Sequence, residues 1–170
     1  WIALSYADIA HRQHNWEESA TRCRMVQDLH PTFHIAYERE IEALLLDDKT
    51  LQADIRARLS REKFPHNERL ATLWADIPSK RNNRYACARR WIQIYRDIPS
   101  FDFAFQKGIE LLWSTENYLY ICRLIAEHGN LEILSEVTHY HFIYSIRRSD
   151  PSFLSNLETS DIKYNGYSFW

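Results

Sequence analysis

Apolar residues recur along this chain at every third or fourth position, in segments separated by short polar intervals, and that spacing predicts a series of amphipathic helices. Ile2, Tyr6, Ile9 and Ala10 mark the first, over 1–13. Asn15 stands as an N-cap with Glu18 at the third helical position, and Trp16, Ala20, Cys23 and Val26 line one face of the helix that runs to Leu29. Ala36, Tyr37, Ile41, Leu44 and Leu45 predict a helix over 33–46. After the turn at Asp47 to Thr50, with Thr50 placed to cap, a helix over 51–64 reads as having Leu51, Ile55 and Leu59 inward. Leu70, Leu73, Trp74 and Ile77 mark the next, stopped by Pro78, and Ser79 to Asn83 reads as a polar, basic turn. Tyr85, Ala88, Trp91 or Ile92, Tyr95 and Ile98 face inward from the helix that starts at Arg84. Helices over 101–113 and 117–128 follow, with Ser114 or Thr115 as the cap between them and Gly129 as the stop.

The punctuation between these segments is periodic. Pro31, Pro65 and Pro99 lie 34 residues apart, and Arg22, Arg56 and Arg90 stand nine residues before each proline. A 34-residue period is one helix–turn–helix unit of a repeat array. The phase lapses at position 133, which is Ile; 131–148 reads as one more helix, capped by Asn130. From Ser149 the chain turns to Ser, Asn, Asp, Gly and aromatics. The expected organisation is therefore a repeat domain over 1–148 with a C-terminal capping helix, and an irregular tail over 149–170, packed on or extending from that helix.

Composition narrows the class. Among 170 residues there are three glycines, the first at Gly108, and no run of alternating β-branched residues, so the chain reads as all-α. The net charge of −2 hides a segregation: residues 1–49 carry −4, residues 50–96 carry +7 and residues 97–170 carry −5. A basic middle either attracts an anionic partner or is neutralised by its neighbouring repeats. Cys23, Cys87 and Cys122 are odd in number and far apart, which fits free thiols in a reducing, cytoplasmic setting rather than a disulfide framework. No apolar run approaches the ~20 residues of a membrane span. Trp1 opens in mid-pattern without a methionine, as a piece of a longer chain would.

With its 34-residue phase, paired helices and late prolines, the stretch over about residues 1–129 resembles the tetratricopeptide repeat family. In that phase the small residue early in each second helix falls at Ser19, Ala53, Cys87 and Ile121, and the larger one four positions on at Cys23, Ala57, Trp91 and Ile125. The family's Leu–Gly pair is replaced by Tyr6–Ala7, Glu40–Ile41, Trp74–Ala75 and Gly108–Ile109. ACARRWIQIYRDIP, from Ala86 to Pro99, also looks like the related half-a-tetratricopeptide repeats, which are associated with RNA-processing assemblies. The resemblance implies a right-handed α–α superhelix of about four units. It further implies a protein-interaction scaffold within a larger bacterial-type protein or complex, such as a companion of glycan-synthesis or transferase enzymes.

In such arrays the first helices line the concave groove, which here draws on Tyr37, Glu38, Glu42, Arg69, Asp76, Lys107 and Glu110. Positions that clamp a carboxylate in chaperone-binding members are acidic here, at Glu38 and Glu42, so a basic or amphipathic peptide is the expected ligand. Arg22, Arg56 and Arg90, with Arg58, Arg61, Arg89 and Arg96, form a ladder along the second helices that reads either as an anion-binding strip or as a solvated convex face. Arginines and aromatics interleave over 80–96, as in RNA-contacting segments, against an acidic overall balance. The eight histidines show no metal-ligand spacing beyond His11 and His14, and no phosphate loop, nucleophile elbow or HExxH motif is present. The expectation is a non-catalytic protein- or peptide-binding scaffold with no metal or cofactor, and an RNA-associated module as the alternative.

Overall fold

The computed structural model describes residues 2–117 and, beyond them, Tyr120, Ile121, Arg123, Leu124 and Glu127. All regular structure among these residues is helical: α1 (Ile2–Arg12), α2 (Trp16–Leu29), α3 (His34–Leu46), α4 (Thr50–Lys63), α5 (Glu68–Asp76), a 3-10 turn (Ile77–Arg81), α6 (Arg84–Asp97) and α7 (Asp102–Ser114). The expected caps at Gly129 and Asn130, the helix over 131–148 and the tail over 149–170 lie outside the described residues.

The 34-residue interval recurs in the backbone. Helices α2, α4 and α6 begin at residues 16, 50 and 84, and α3, α5 and α7 at 34, 68 and 102. The turns repeat as well. His14, Asp48, Asn82 and Glu116 all adopt left-handed backbone with φ of 54–57°. The amide of the next residue reaches back five positions each time: Asn15 to Ala10, Lys49 to Leu44, Asn83 to Pro78 and Asn117 to Leu112, at 2.9–3.1 Å. This is the Schellman closure, in which one left-handed residue satisfies carbonyls that the helix end leaves free. The other turn is set by proline. Pro31 and Pro65 exclude helical backbone for the residue before them, and His30 and Phe64 accordingly take φ of −133° and −126°.

The chain forms two compact units, residues 1–83 and 84–170. In the first, α1 packs on α2, α2 on α3, α3 on α4, and α5 on both α4 and α3. Its core gathers Ala20, Tyr37, Ile41, Leu44, Ala53, Ala57, Leu70 and Ile77. In the second, α6 packs on α7 around Trp91, Ile92, Phe105, Ile109 and Leu112. Ser19, Ala53, Cys87 and Ile121 are all buried, as are Cys23, Ala57 and Trp91, so the small and large positions of the repeat phase mark the interior wherever they are described.

Several inward assignments are corrected. Leu51, Ile55 and Leu59 of α4 face outward, at 61%, 45% and 45% exposure, while Ala53, Ala57 and Ser60 are buried. Small side chains let α4 approach α3 closely, and a helix so packed buries a narrow strip that need not hold its largest residues. Tyr6 and Ile9 are likewise exposed while Leu4, Ala7 and Ala10 are buried, and Tyr85 is exposed on α6. Thr50 is the first residue of α4 and Lys49 its cap, without a side-chain cap bond. The expected turn after Pro78 is in part 3-10 helix, with Pro78 near its start. Asn15 does cap α2, its Oδ1 accepting from the Glu18 amide at 3.3 Å.

Candidate interaction surface

Helices α3 and α5 lie against each other and carry five of the residues expected to contact a partner. Glu42 accepts from Arg69 at 2.6 Å and from Arg39 at 3.2 Å, so a carboxylate on α3 ties down an arginine of α5. Glu38 lies 2.9 Å from His34 Nδ1 and accepts from Asn67 Nδ2 at 3.5 Å. Tyr37 points inward. Its hydroxyl donates to the Pro31 carbonyl at 3.1 Å and accepts from Lys63 Nζ at 2.6 Å, and its ring meets Phe64 edge-on. Tyr37 is therefore a pillar under this surface, with Glu38, Glu42 and Arg69 above it. Asp76 is exposed at the end of α5. Lys107 and Glu110 belong to α7 in the second unit and pair with each other at 3.2 Å.

The recurrent arginines of the first unit turn back into the fold. Arg22 donates from Nε to Glu18 and from Nη1 to the Tyr6 carbonyl, both at 2.8 Å, and its guanidinium lies 3.8 Å from the centre of the Tyr6 ring. Arg56, the next in the period, donates from Nε to Glu40 at 2.9 Å and from Nη2 to the Gln27 side-chain Oε1 at 2.7 Å. Each reaches the residue sixteen positions earlier, on the helix that precedes its own. Arg61 lies over Trp74, with 4.0 Å from its guanidinium carbon to the ring centre. Arg58 and Arg89 are exposed, whereas Arg90 is half-buried and engaged.

Glu40 is the centre of this arrangement and was not among the expected site residues. It is 1% exposed. Besides Arg56 it accepts from Gln27 Nε2 at 2.9 Å, and Arg24 Nε lies 3.4 Å from its other oxygen. A buried carboxylate with two arginines and an amide is a satisfied network, in which each member fixes the rotamers of the others. The sequence signal for it was the repeat phase itself: Glu40 occupies the position of Tyr6, sixteen residues before a recurrent arginine. Cys23, beneath it, is pushed up to about 12 by burial and secondarily by the Glu40 charge, which leaves its thiol protonated and inert.

His11 and His14 both meet Trp16 edge-on, at 4.9 and 5.1 Å between ring centres. Among the described residues, no three His, Cys, Asp or Glu side chains converge as a metal site, and no helix is long and apolar enough to cross a membrane. No family description matches the sequence, and no curated protein is detectably similar to it.

Proposed function

We propose that the chain is a tetratricopeptide-like scaffold, a right-handed superhelix of about four helix pairs closed by a C-terminal helix. It binds a peptide or partner domain on its first-helix surface and carries out no bond chemistry. The observation that carries this reading is the quartet of left-handed turn residues, His14, Asp48, Asn82 and Glu116, at one 34-residue interval without a glycine among them. A turn kept at fixed spacing across different residue types is what stacking of equivalent units requires. The α3–α5 surface supports the rest. Glu38, Glu42 and Arg69 present both signs of charge on packed helices, and the Tyr37–Lys63 pillar holds the backbone beneath them.

The test compares capture by immobilised wild type, Arg69→Glu and Arg89→Glu. Arg69→Glu sets a like charge against Glu42 and is expected to abolish binding of a protein partner; Arg89→Glu is expected to leave it intact. Nuclease-sensitive capture lost in Arg89→Glu would favour the RNA-associated reading. That alternative rests on Arg84 and Arg89, which are exposed on α6 with no ion pair among the described residues.

A further inference from the structure

Helices α3, α5 and α7 are each covered at one equivalent place by the second helix that precedes them. Glu40 of α3 accepts from Gln27 of α2 at 2.9 Å. Trp74 of α5 lies under Arg61 of α4, and Gly108 of α7 packs against Ile92 of α6. Three residues further on, Ala43 and Ile77 are buried and Leu111 is half-buried. In α1 the same two positions are Tyr6 and Ile9, and both stay open, at 51% and 52% exposure. Arg22 already stacks on the Tyr6 ring, 3.8 Å from its centre, and half of the residue is exposed even so. A tyrosine and an isoleucine at positions that stacking closes elsewhere in the chain mark a contact surface rather than scattered surface apolarity.

The repeat also indicates what covers them. Tyr6–Ala7–Asp8–Ile9 returns 68 residues later as Trp74–Ala75–Asp76–Ile77: an aromatic residue, then Ala, Asp and Ile. There the run is covered by α4, which packs on α5 and on the turn that follows it. Ala53 and Ala57 of α4 share a core with Leu70 and Ile77. Arg61, one helical turn beyond Ala57, sets its guanidinium 4.0 Å from the centre of the indole. Small side chains permit the close approach, and the arginine supplies the cation that an aromatic face attracts.

We propose that the outward face of α1 is a stacking site whose occupant is a further helix of the α4 class, set against α1 as α4 is set against α5. Its alanine-sized residues lie toward Ile9, and it brings a second arginine over Tyr6. The inference rests on the equivalence of the repeats and not on the α3–α5 surface, to which neither Tyr6 nor Ile9 belongs.

The test joins a copy of residues 50–68 to Trp1 of the full chain, so that Glu68 precedes Trp1 as it precedes Arg69. A copy of 50–66, two residues out of phase, is the comparison. The in-phase graft should raise the thermal midpoint and slow amide exchange in α1 about tenfold or more, as burial of two large side chains implies. The out-of-phase graft should do neither. Ile9→Lys, at an exposed site, should leave the ungrafted chain unchanged and abolish the gain in the grafted one, and Arg61→Ala within the grafted copy should lose part of it. An in-phase graft that gains nothing overturns the proposal; the repeat reading survives that result if a second copy of 50–83, inserted after Asn83, still folds cooperatively. Equal gains from both grafts, or a gain that survives Ile9→Lys, also overturn it. So does self-association of the ungrafted chain that Ile9→Lys removes, since the face would then belong to a second copy.

Discussion

The α2–α3 and α6–α7 pairs occupy equivalent places two periods apart, and their contacts are filled in opposite ways. In α2–α3 the facing side chains are Cys23, Arg24, Gln27 and Glu40; 68 residues later they are Trp91, Ile92, Tyr95 and Gly108. One is held by a buried carboxylate with charged and amide partners. The other is apolar, with Trp91 and Ile92 buried and Gly108 so close to Ile92 that an added Cβ would lie 2.5 Å from its Cδ1. Helix starts and turns keep the 34-residue spacing in both pairs, while volume and polarity are traded locally. Where a glycine brings α7 in, a tryptophan and an isoleucine fill the contact; where a glutamate stands, polar partners satisfy it.

The largest expected effect separates the two solutions. Trp91→Ala should destabilise by ~3–5 kcal/mol in urea unfolding, because a fully buried indole leaves a large cavity. A loss under about 1 kcal/mol would place Trp91 outside the core of α6–α7. On the polar side, Glu40→Ala should cost about 3 kcal/mol by stranding Gln27 and the inner face of Arg56, and Glu40→Gln, which keeps an acceptor, should cost less. Equal losses for Ala and Gln would mean that shape rather than charge holds α2–α3.

Gly108→Ala sharpens the contrast further. Its gain in helix propensity, about 1 kcal/mol, is opposed by the clash with Ile92, so a net loss of about 1–2 kcal/mol is expected. Combining it with Ile92→Val, which removes the Cδ1 carbon, should cost less than the sum of the two. The smallest effect lies in the turns. Glu116 is the least suited of the four left-handed residues, and Glu116→Gly should stabilise by ~0.5–1 kcal/mol as read by thermal melting. No gain there would indicate that its left-handed backbone carries little strain.

The periodic features were legible in the sequence and the polar interior was not. Three prolines and three arginines announced the 34-residue interval, and Asn15 with Glu18 announced the start of α2, because such signals act through local backbone sterics and capping. The burial of Ser19, Ala53 and Cys87 was readable only from the repeat phase, since small residues carry little hydrophobic signal. Leu51, Ile55 and Leu59 misled for the converse reason: apolar spacing identifies a stripe but not which side of the helix meets a neighbour. Glu40 was hidden because a carboxylate is read as surface, and its burial depends on Arg56 and Gln27 arriving from other helices. Of the expected surface residues, Glu38, Glu42 and Arg69 meet at α3–α5, and Tyr37 is structural support.

The 34-residue repeat is tested most directly by removing one period. Deleting 50–83 joins Lys49 to Arg84, which begins its helix where Thr50 began, so the junction preserves the cap, the turn and the helix register. The shortened chain should keep its helicity per residue and melt cooperatively, while deletion of half that length should not. If both deletions unfold the chain alike, the 34-residue interval is not the unit on which this fold is built.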